Sequence, residues 1–234
     1  MIEVPSLSSP PHNSANRLAN TISMKENNPA ETTIATYQQY FDRYVERTQP
    51  EVSGEFREWM DSFLSYLPQQ GEIFELGSAV GRDARYFREK GYQVMCTDII
   101  PQALEKLSED GFETAKFDFR DVPKQEWLGK FDGFFANAVL LHAEPDVFEN
   151  ALRNAATLLK ENGTAAISLK TGEGEEISLE KMDAPRYFRY HSETEIREVL
   201  SKLPFDIISI NHADNQKWLH IIMRSQPIND VGSK

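Results

Sequence analysis

Glu75, Gly77, Ala79, Gly81 and Asp98 have the types and spacing needed to hold a nucleotide. A short apolar run, Ile73-Phe74-Glu75-Leu76, leads into a turn of small residues, Gly77-Ser78-Ala79-Val80-Gly81. Gly77 permits a tight turn with backbone angles that other residues resist. Ala79 and Gly81 keep the turn thin, so a ligand can approach the main chain. Asp98 closes the next apolar run, where its carboxylate can accept hydrogen bonds from both hydroxyls of a ribose. The arrangement is that of a nucleotide pocket at the carboxyl end of a first parallel strand.

The spacing also bears on which nucleotide. A dinucleotide fingerprint places its glycines as G-x-G-x-x-G. Here the third glycine comes one position early, and Arg82 stands where it was due. Glu75, two residues before the first glycine, would repel a pyrophosphate. It would be tolerated by a sulfonium nucleoside carrying an ammonium group, so S-adenosylmethionine is favoured over NAD. An NAD-type oxidoreductase remains the first rival reading.

Other reactive groups lie further along. His142 follows the fourth apolar run, and an imidazole there can take a proton near neutral pH; a packing histidine fits the position equally well. The segment Lys170 to Tyr190 is long, charged and glycine-bearing, as expected of a substrate-side loop. Arg186, Arg189 and His191 are its candidate substrate-binding residues. The arginines could clamp a carboxylate or phosphate, or simply be solvated or paired. His212 and His220 fall in the terminal strands and read as structural, and His12 lies near the N-terminus. The single cysteine, Cys96, sits inside an apolar strand and reads as inert core. It excludes an internal disulfide framework and a multi-cysteine zinc site, and no metal is expected.

These residues must be positioned by an alternation of strands and helices. Tyr37, Tyr40, Phe41 and Tyr44 follow i, i+3, i+4, i+7 spacing and predict one aromatic helix face. Phe56, Trp59, Met60, Phe63, Leu64 and Leu67 predict a second helix, stopped by Pro68. Strands are expected at Ile73–Leu76, Gln93–Thr97, Phe112–Phe117, Phe131–Ala136 and Thr164–Leu169. Helices are expected at Arg82–Lys90, at Gln102–Glu109 behind Pro101, and at Asp146–Glu161, closed by Asn162-Gly163. After a helix at Ser192–Leu203 come strands Phe205–Asn211 and Lys217–Arg224. The link Ala213-Asp214-Asn215-Gln216 is too short for a parallel crossover, so the last strand should run antiparallel. The fold class is therefore α/β: a Rossmann-like, seven-stranded, mostly parallel sheet with an antiparallel C-terminal strand, helices on both faces and an N-terminal helical lid.

Taken together, the motifs resemble those of the class I S-adenosylmethionine-dependent methyltransferases over roughly Thr32 to Arg224. Glu75-Leu76-Gly77-Ser78-Ala79-Val80-Gly81-Arg82 resembles that family's first motif, with alanine for its usual middle glycine. Asp98 matches the ribose-binding acid. Phe117-Asp118-Phe119-Arg120 resembles the segment in which an acid reaches the adenine amino group and an apolar neighbour packs on the ring. Phe131 to His142 resembles the fourth-strand motif, and Leu158 to Thr164 the junction after it. The resemblance implies S-adenosylmethionine as cofactor. Its contacts would come from Tyr37 and Tyr44 of the lid, Glu75, Gly77, Ser78, Ala79, Gly81, Arg82, Asp98, Ile99, Asp118, Phe119 and Asn137. A helix-capping role is the alternative for Asp118 and Asn137.

Methyl transfer by in-line displacement needs mainly alignment and exclusion of water, so the lack of a catalytic triad does not count against an enzyme. Asn137 is followed by Ala138-Val139-Leu140 rather than Pro-Pro-Tyr, which gives no support to an amino-group methylase of adenine or glutamine. No Pro-Cys pair suggests a cytosine methylase. With 25 basic against 37 acidic residues the net charge is -12, a poor match for a phosphate backbone. A small-molecule acceptor is expected, with no nucleic-acid or membrane partner, in a cytoplasmic setting. Residues 1–30 and 226–234 are expected to be tails flanking one domain at 31–225, divided into a lid at 31–70 and a core at 71–225. A non-catalytic cofactor-binding module, and a protein methylase using the N-terminal tail as a docking arm, are the other readings.

Overall fold

The computed structural model describes residues 28–227, so the expected tails lie almost wholly outside the described residues. Helix α1 spans Pro29–Gln39. The Asn28 side chain accepts from the Ala30 N–H at 2.9 Å, and Pro29 supplies a ring already set for the first turn. The single aromatic helix face is corrected at Tyr40. Its φ of -117° breaks the helix, and α2 restarts at Phe41–Glu46. Tyr37 and Tyr44 still meet across the break, edge to face at 5.4 Å. Helix α3, Gly54–Ser65, buries Trp59, Met60, Phe63 and Leu64 on one side.

The strands are β1 Glu72–Leu76, β2 Gln93–Asp98, β3 Glu113–Lys116, β4 Phe131–Asn137 and β5 Leu159–Lys170, followed by β6 Glu175–Ser178, β7 Arg186–Arg189, β8 Phe205–Ala213 and β9 Trp218–Ser225. Between them lie α4 Arg82–Glu89, α5 Pro101–Glu109, α6 Pro145–Leu158 and α7 Glu193–Leu200. Seven strands form one sheet in the order β3-β2-β1-β4-β5-β9-β8, and β6 pairs with β7 in a second. In the large sheet only β9 runs against its neighbours. The turn before it carries Asp214, Asn215 and Gln216 at φ of 47°, 53° and 70°, a tight reversal matching the short link.

Side-chain alternation builds two cores, one on each sheet face. Phe74, Phe134, Ile167 and Ile221 point toward α6 and α7. Ile73, Cys96, Phe135, Ala166 and Ile222 point toward α3 and α4. Phe135 is fully buried, with ring centroids 4.9 Å from Trp59, 5.5 Å from Phe63 and 4.9 Å from Phe87.

Two expectations need correction. The helix expected to run to Glu161 ends at Leu158, because Leu159 already pairs with Phe131. Pairing then resumes at Thr164 with Gly133, so the intervening residues bulge out around Asn162, whose φ is 61°. The Lys170–Tyr190 segment is not a plain loop: β6 and β7 make it an antiparallel hairpin. This hairpin packs on α1. Thr36 Oγ1 donates to the Pro185 carbonyl at 2.6 Å, and Thr33 Oγ1 accepts from the Tyr187 N–H at 2.9 Å.

Replacing Phe135 by Ala removes the ring joining three aromatic neighbours and should cost about 3–5 kcal/mol. Urea unfolding followed by circular dichroism checks this, with native helix content retained below the transition.

Candidate functional site

The strand order reverses between β1 and β4, and the crevice outside their carboxyl ends is where an open α/β sheet takes its ligand. The turn after β1 is held by its own backbone. Gly77 has φ 68°, and a Cβ there would lie 2.4 Å from Val139 Cγ2, so only glycine fits. Ala79 has φ 47°, a left-handed conformation that costs a residue with a Cβ roughly 1 kcal/mol. Its N–H donates to Asp98 Oδ2 at 2.8 Å, while Asp98 Oδ1 accepts from the Ile100 N–H at 2.9 Å. Asp98 thus ties the two nucleotide-facing turns together. Burial raises its pKa and these backbone donors oppose the rise. Gly81, at φ 75°, is required for a different reason: a Cβ would lie 2.6 Å from Leu107 Cδ2, where α4 packs on α5.

Behind the turn is a polar layer. Asn137 Nδ2 donates to Asp83 Oδ2 at 2.9 Å, and Asn137 Oδ1 accepts from Ser168 Oγ at 2.6 Å. Arg82 Nε donates to Asp83 Oδ1 at 2.6 Å, and its guanidinium lies 4.5 Å from the Phe56 ring centroid. Glu75 is buried beneath, and its Oε2 has no hydrogen-bond partner. Burial and the nearby Asp83 push its pKa well above the carboxylate range.

A cleft of about 870 Å³ opens in front of this layer. Asp98, Ile99, Ile100, Phe117, Asp118 and Phe119 form one wall, and Ile34, Tyr37, Phe41 and Tyr44 form the other. Asp118 accepts from Arg120 Nε at 2.9 Å, and Arg120 Nη1 reaches Glu31 of α1 at 2.7 Å. A second space adjoins it, lined by Tyr37, Tyr44, Ser78, Arg82, Asn137, His142, Lys170, Lys181, Arg186 and Phe188.

His142 sits at the seam of the two spaces, beyond β4. Its Nδ1 lies 2.6 Å from the Tyr187 carbonyl, which can only accept, so Nδ1 carries the hydrogen. Nε2 is left to accept from the Tyr37 hydroxyl at 3.1 Å, and Tyr37 Oη in turn accepts from Arg186 Nη1 at 2.9 Å. Burial lowers the His142 pKa to about 4. Both ring nitrogens are spoken for, so the imidazole does not present a free lone pair to the cleft; it holds Tyr37.

Thirteen of the sequence-derived candidates line the two spaces: Tyr37, Tyr44, Gly77, Ser78, Ala79, Arg82, Asp98, Ile99, Asp118, Phe119, Asn137, His142 and Arg186. Glu75 and Gly81 lie behind the turn instead. Arg189 and His191 are corrections. Alternation along β7 turns Arg189 away from Arg186, and its Nη2 pairs with Glu195 Oε1 at 2.5 Å. His191 is fully buried, its ring 4.8 Å from Phe148, and burial lowers its pKa. Lys170, Lys181 and Asp83 were missed. Asp83, in the first turn of α4, carried a signal as an acid at a helix N-terminus; Lys170 and Lys181 carried none, because their positions depend on a hairpin with no clear periodicity.

The donor set suits an adenosine without phosphates. A phosphate cradle needs free loop N–H groups, yet those of Ser78, Ala79 and Gly81 are spent on the Thr97 carbonyl, Asp98 and the Ser78 carbonyl. Asp83 lies just behind, whereas Glu75, pushed toward its neutral form by burial, does not supply the repulsion of a pyrophosphate expected of it. Asp98 and Asp118 offer acceptors at the other end, with Ile99, Phe117 and Phe119 as apolar faces.

Gly77→Ala should abolish nucleoside binding, because its Cβ would drive Val139 out of place, whereas Ala79→Gly should bind normally and gain up to roughly 1 kcal/mol of stability. Calorimetric titration and thermal melts separate the two outcomes. A second expectation concerns pH. His142 and His220 titrate near 6.5 when unfolded but about 4 in the fold, so the native state binds fewer protons. Stability is therefore fully present above pH 6.5 and declines as pH falls toward 4. His220→Phe, which keeps the stack on Trp59 at 4.5 Å, should flatten that decline by about 1.4 kcal/mol per pH unit, measured by urea unfolding across the range.

Residues 74–165 match a family model described as a methyltransferase domain. Comparison with curated protein sequences gave no match. Among solved structures, the fold is similar to the Burkholderia thailandensis 1,6-didemethyltoxoflavin-N1-methyltransferase bound to 1,6-didemethyltoxoflavin and S-adenosylhomocysteine (19% identity, 95% of this chain and 93% of that one, TM-score 0.59). It is also similar to a SAM-dependent methyltransferase from Methanosarcina mazei (15% identity, 70% and 97% covered, TM-score 0.62). A third similar structure is the [4+2]-cyclase SpnF (13% identity, 75% and 84% covered, TM-score 0.59). Residues 74–165 thus match a methyltransferase domain, and the strand order and the cleft suited to adenosine give the chain the fold of the S-adenosylmethionine-dependent methyltransferases it resembles.

Proposed function

We propose that this protein transfers a methyl group to a small-molecule acceptor, with Asp98, Asp118 and the turn at Gly77–Gly81 holding the cofactor. The observation that carries the reading is the pair of adjoining spaces sharing Tyr37, Asn137 and His142: one suited to a nucleoside, the other lined by side chains from the hairpin. The bound cofactor supplies an electrophilic methyl group on a positively charged sulfur. The chain's own residues bind, align and keep water out. Asp98 would receive the ribose hydroxyls and Asp118 the adenine amino group, with Ile99 and Phe119 against the ring. Asn137 is fixed by Asp83 and Ser168 so that β4 keeps a defined edge at the seam.

Tyr37 is the polar group best placed between the two spaces, with His142 and Arg186 as its positioning residues. The expected role of His142 as a proton acceptor thus passes through the Tyr37 hydroxyl. The acceptor is proposed to be small because α1, α2 and the β6–β7 hairpin cover the cleft, and because a net charge of -12 repels polyanions. No helix among the described residues is long and apolar enough to cross a membrane. A cytoplasmic setting is part of the same proposal; the one cysteine, Cys96, is free and buried.

A second reading, in which the fold binds cofactor without transferring methyl, draws on the likeness to a structure named as a cyclase. Equilibrium dialysis with labelled S-adenosylmethionine against NAD tests the first reading: S-adenosylmethionine should bind and NAD should not, and tight binding of NAD alone would overturn it. Asp98→Asn should weaken cofactor binding roughly 10- to 100-fold, the loss expected for a hydrogen bond to a charged group. Cofactor binding without transfer across a broad acceptor screen would favour the second reading.

A further inference from the structure

The second space has an electrostatic character that the methyl-transfer chemistry does not explain. Arg186 is only 5% exposed, yet no acid pairs with it among the described residues. Its Nη1 donates to Tyr37 Oη, its Nη2 donates to the Glu180 carbonyl at 2.6 Å, and its buried Nε has no partner. Lys181 Nζ donates to Thr48 Oγ1 at 2.8 Å and lies 4.0 Å from the Tyr44 ring centroid, again with a neutral partner. Lys170 Nζ lies 4.3 Å from the Phe188 ring centroid; its nearest acid is the exposed Glu180, at 3.8 Å. Burial and the repulsion of Arg186 and Arg82 lower the Lys181 pKa to about 8.

Arg186 and Lys181 face this space with no carboxylate in ion-pair reach, and Lys170 has only the exposed Glu180 at 3.8 Å, although Glu51, Glu55, Asp83 and Asp214 also line the space; folding alone does not favour that arrangement. A buried cation without a counter-ion carries a desolvation cost. Arg189, on the opposite face of the same strand, shows the ordinary solution, an ion pair with Glu195. Arg186 and Lys181 are held instead by aromatic faces and neutral oxygens, which leave N–H groups available.

Resting on the methyl-transfer reading above, we propose that the acceptor carries an oxyanion, a carboxylate or a phosphate, that docks between Arg186, Lys181 and Lys170. The anion supplies the missing counter-charge, and an arginine fork with two ammonium groups is a set that binds either oxyanion by charge-assisted hydrogen bonds. Holding the anion there places the rest of the acceptor toward Tyr37 and the seam between the spaces.

The experiment titrates benzoate, phenyl phosphate and neutral benzyl alcohol into protein saturated with S-adenosylhomocysteine, by calorimetry. At least one anion should bind about tenfold or more tightly than benzyl alcohol, and the tighter of the two tells carboxylate from phosphate. Lys181→Met and Lys170→Met should each weaken that anion at least about fivefold while S-adenosylhomocysteine affinity stays within about twofold, which also certifies the fold. Arg186→Lys, keeping the charge but losing the fork, should weaken it less than the methionine variants do. Equal binding of benzyl alcohol, or no binding of either anion, would overturn the proposal. So would a Lys181→Met loss that falls on S-adenosylhomocysteine instead, since the cations would then serve the cofactor's own carboxylate. If the wild-type protein fails to bind S-adenosylhomocysteine at all, the methyl-transfer reading fails, and the same titrations on free protein still decide whether the cations take an anion.

Discussion

The hydrogen bond from the Ala79 N–H to the Asp98 carboxylate joins the two turns on which the cleft is built. It crosses from the turn after β1 to the end of β2 in a partly buried position, and its loss would take one of the donors from a carboxylate that has little water around it. It also accounts for the odd residue in the first motif. Ala79 must adopt a left-handed backbone to aim its N–H at Asp98, and the bond offsets the roughly 1 kcal/mol that its Cβ costs there. Gly77 could not make the same compromise, because Val139 occupies the space its Cβ would need. Two neighbouring positions in one turn thus obey different rules: one is limited by backbone angle, the other by contact.

The other half of the site is made by elements far apart in sequence. Thr33 and Thr36 of α1 bond to the backbone around Pro185 and Tyr187, and Arg43 reaches the Met182 carbonyl at 2.5 Å. The N-terminal helices and the β6–β7 hairpin therefore form one cover. Arg120 fastens its near edge by bridging Asp118 and Glu31.

The sequence was legible where local rules govern. The α/β class, the strand positions and the antiparallel ending followed from apolar runs, link lengths and the glycine turn. It was less legible where partners come from afar. The break at Tyr40 has no proline or glycine to announce it. The early end of α6 is set by Leu159 pairing with Phe131, a contact that periodicity does not carry. In the site, Asp98, Gly77 and Asn137 could be read from position within a strand-turn unit, but the separation of Arg186 from Arg189 required knowing that the segment is a strand with two faces. His142 could be located by motif, while the direction of its hydrogen bonds depended on Tyr37 and Tyr187, which are remote in the chain.

Tyr37 touches both spaces, and its hydroxyl is held from opposite sides by His142 and Arg186. One consequence is energetic reciprocity. Whatever nucleoside contact shifts that ring changes the free energy of the hairpin side by some amount, and an occupant of the hairpin side must return the same amount to the nucleoside. The phenol is thus a shared hinge pin between two ligands that need never touch each other.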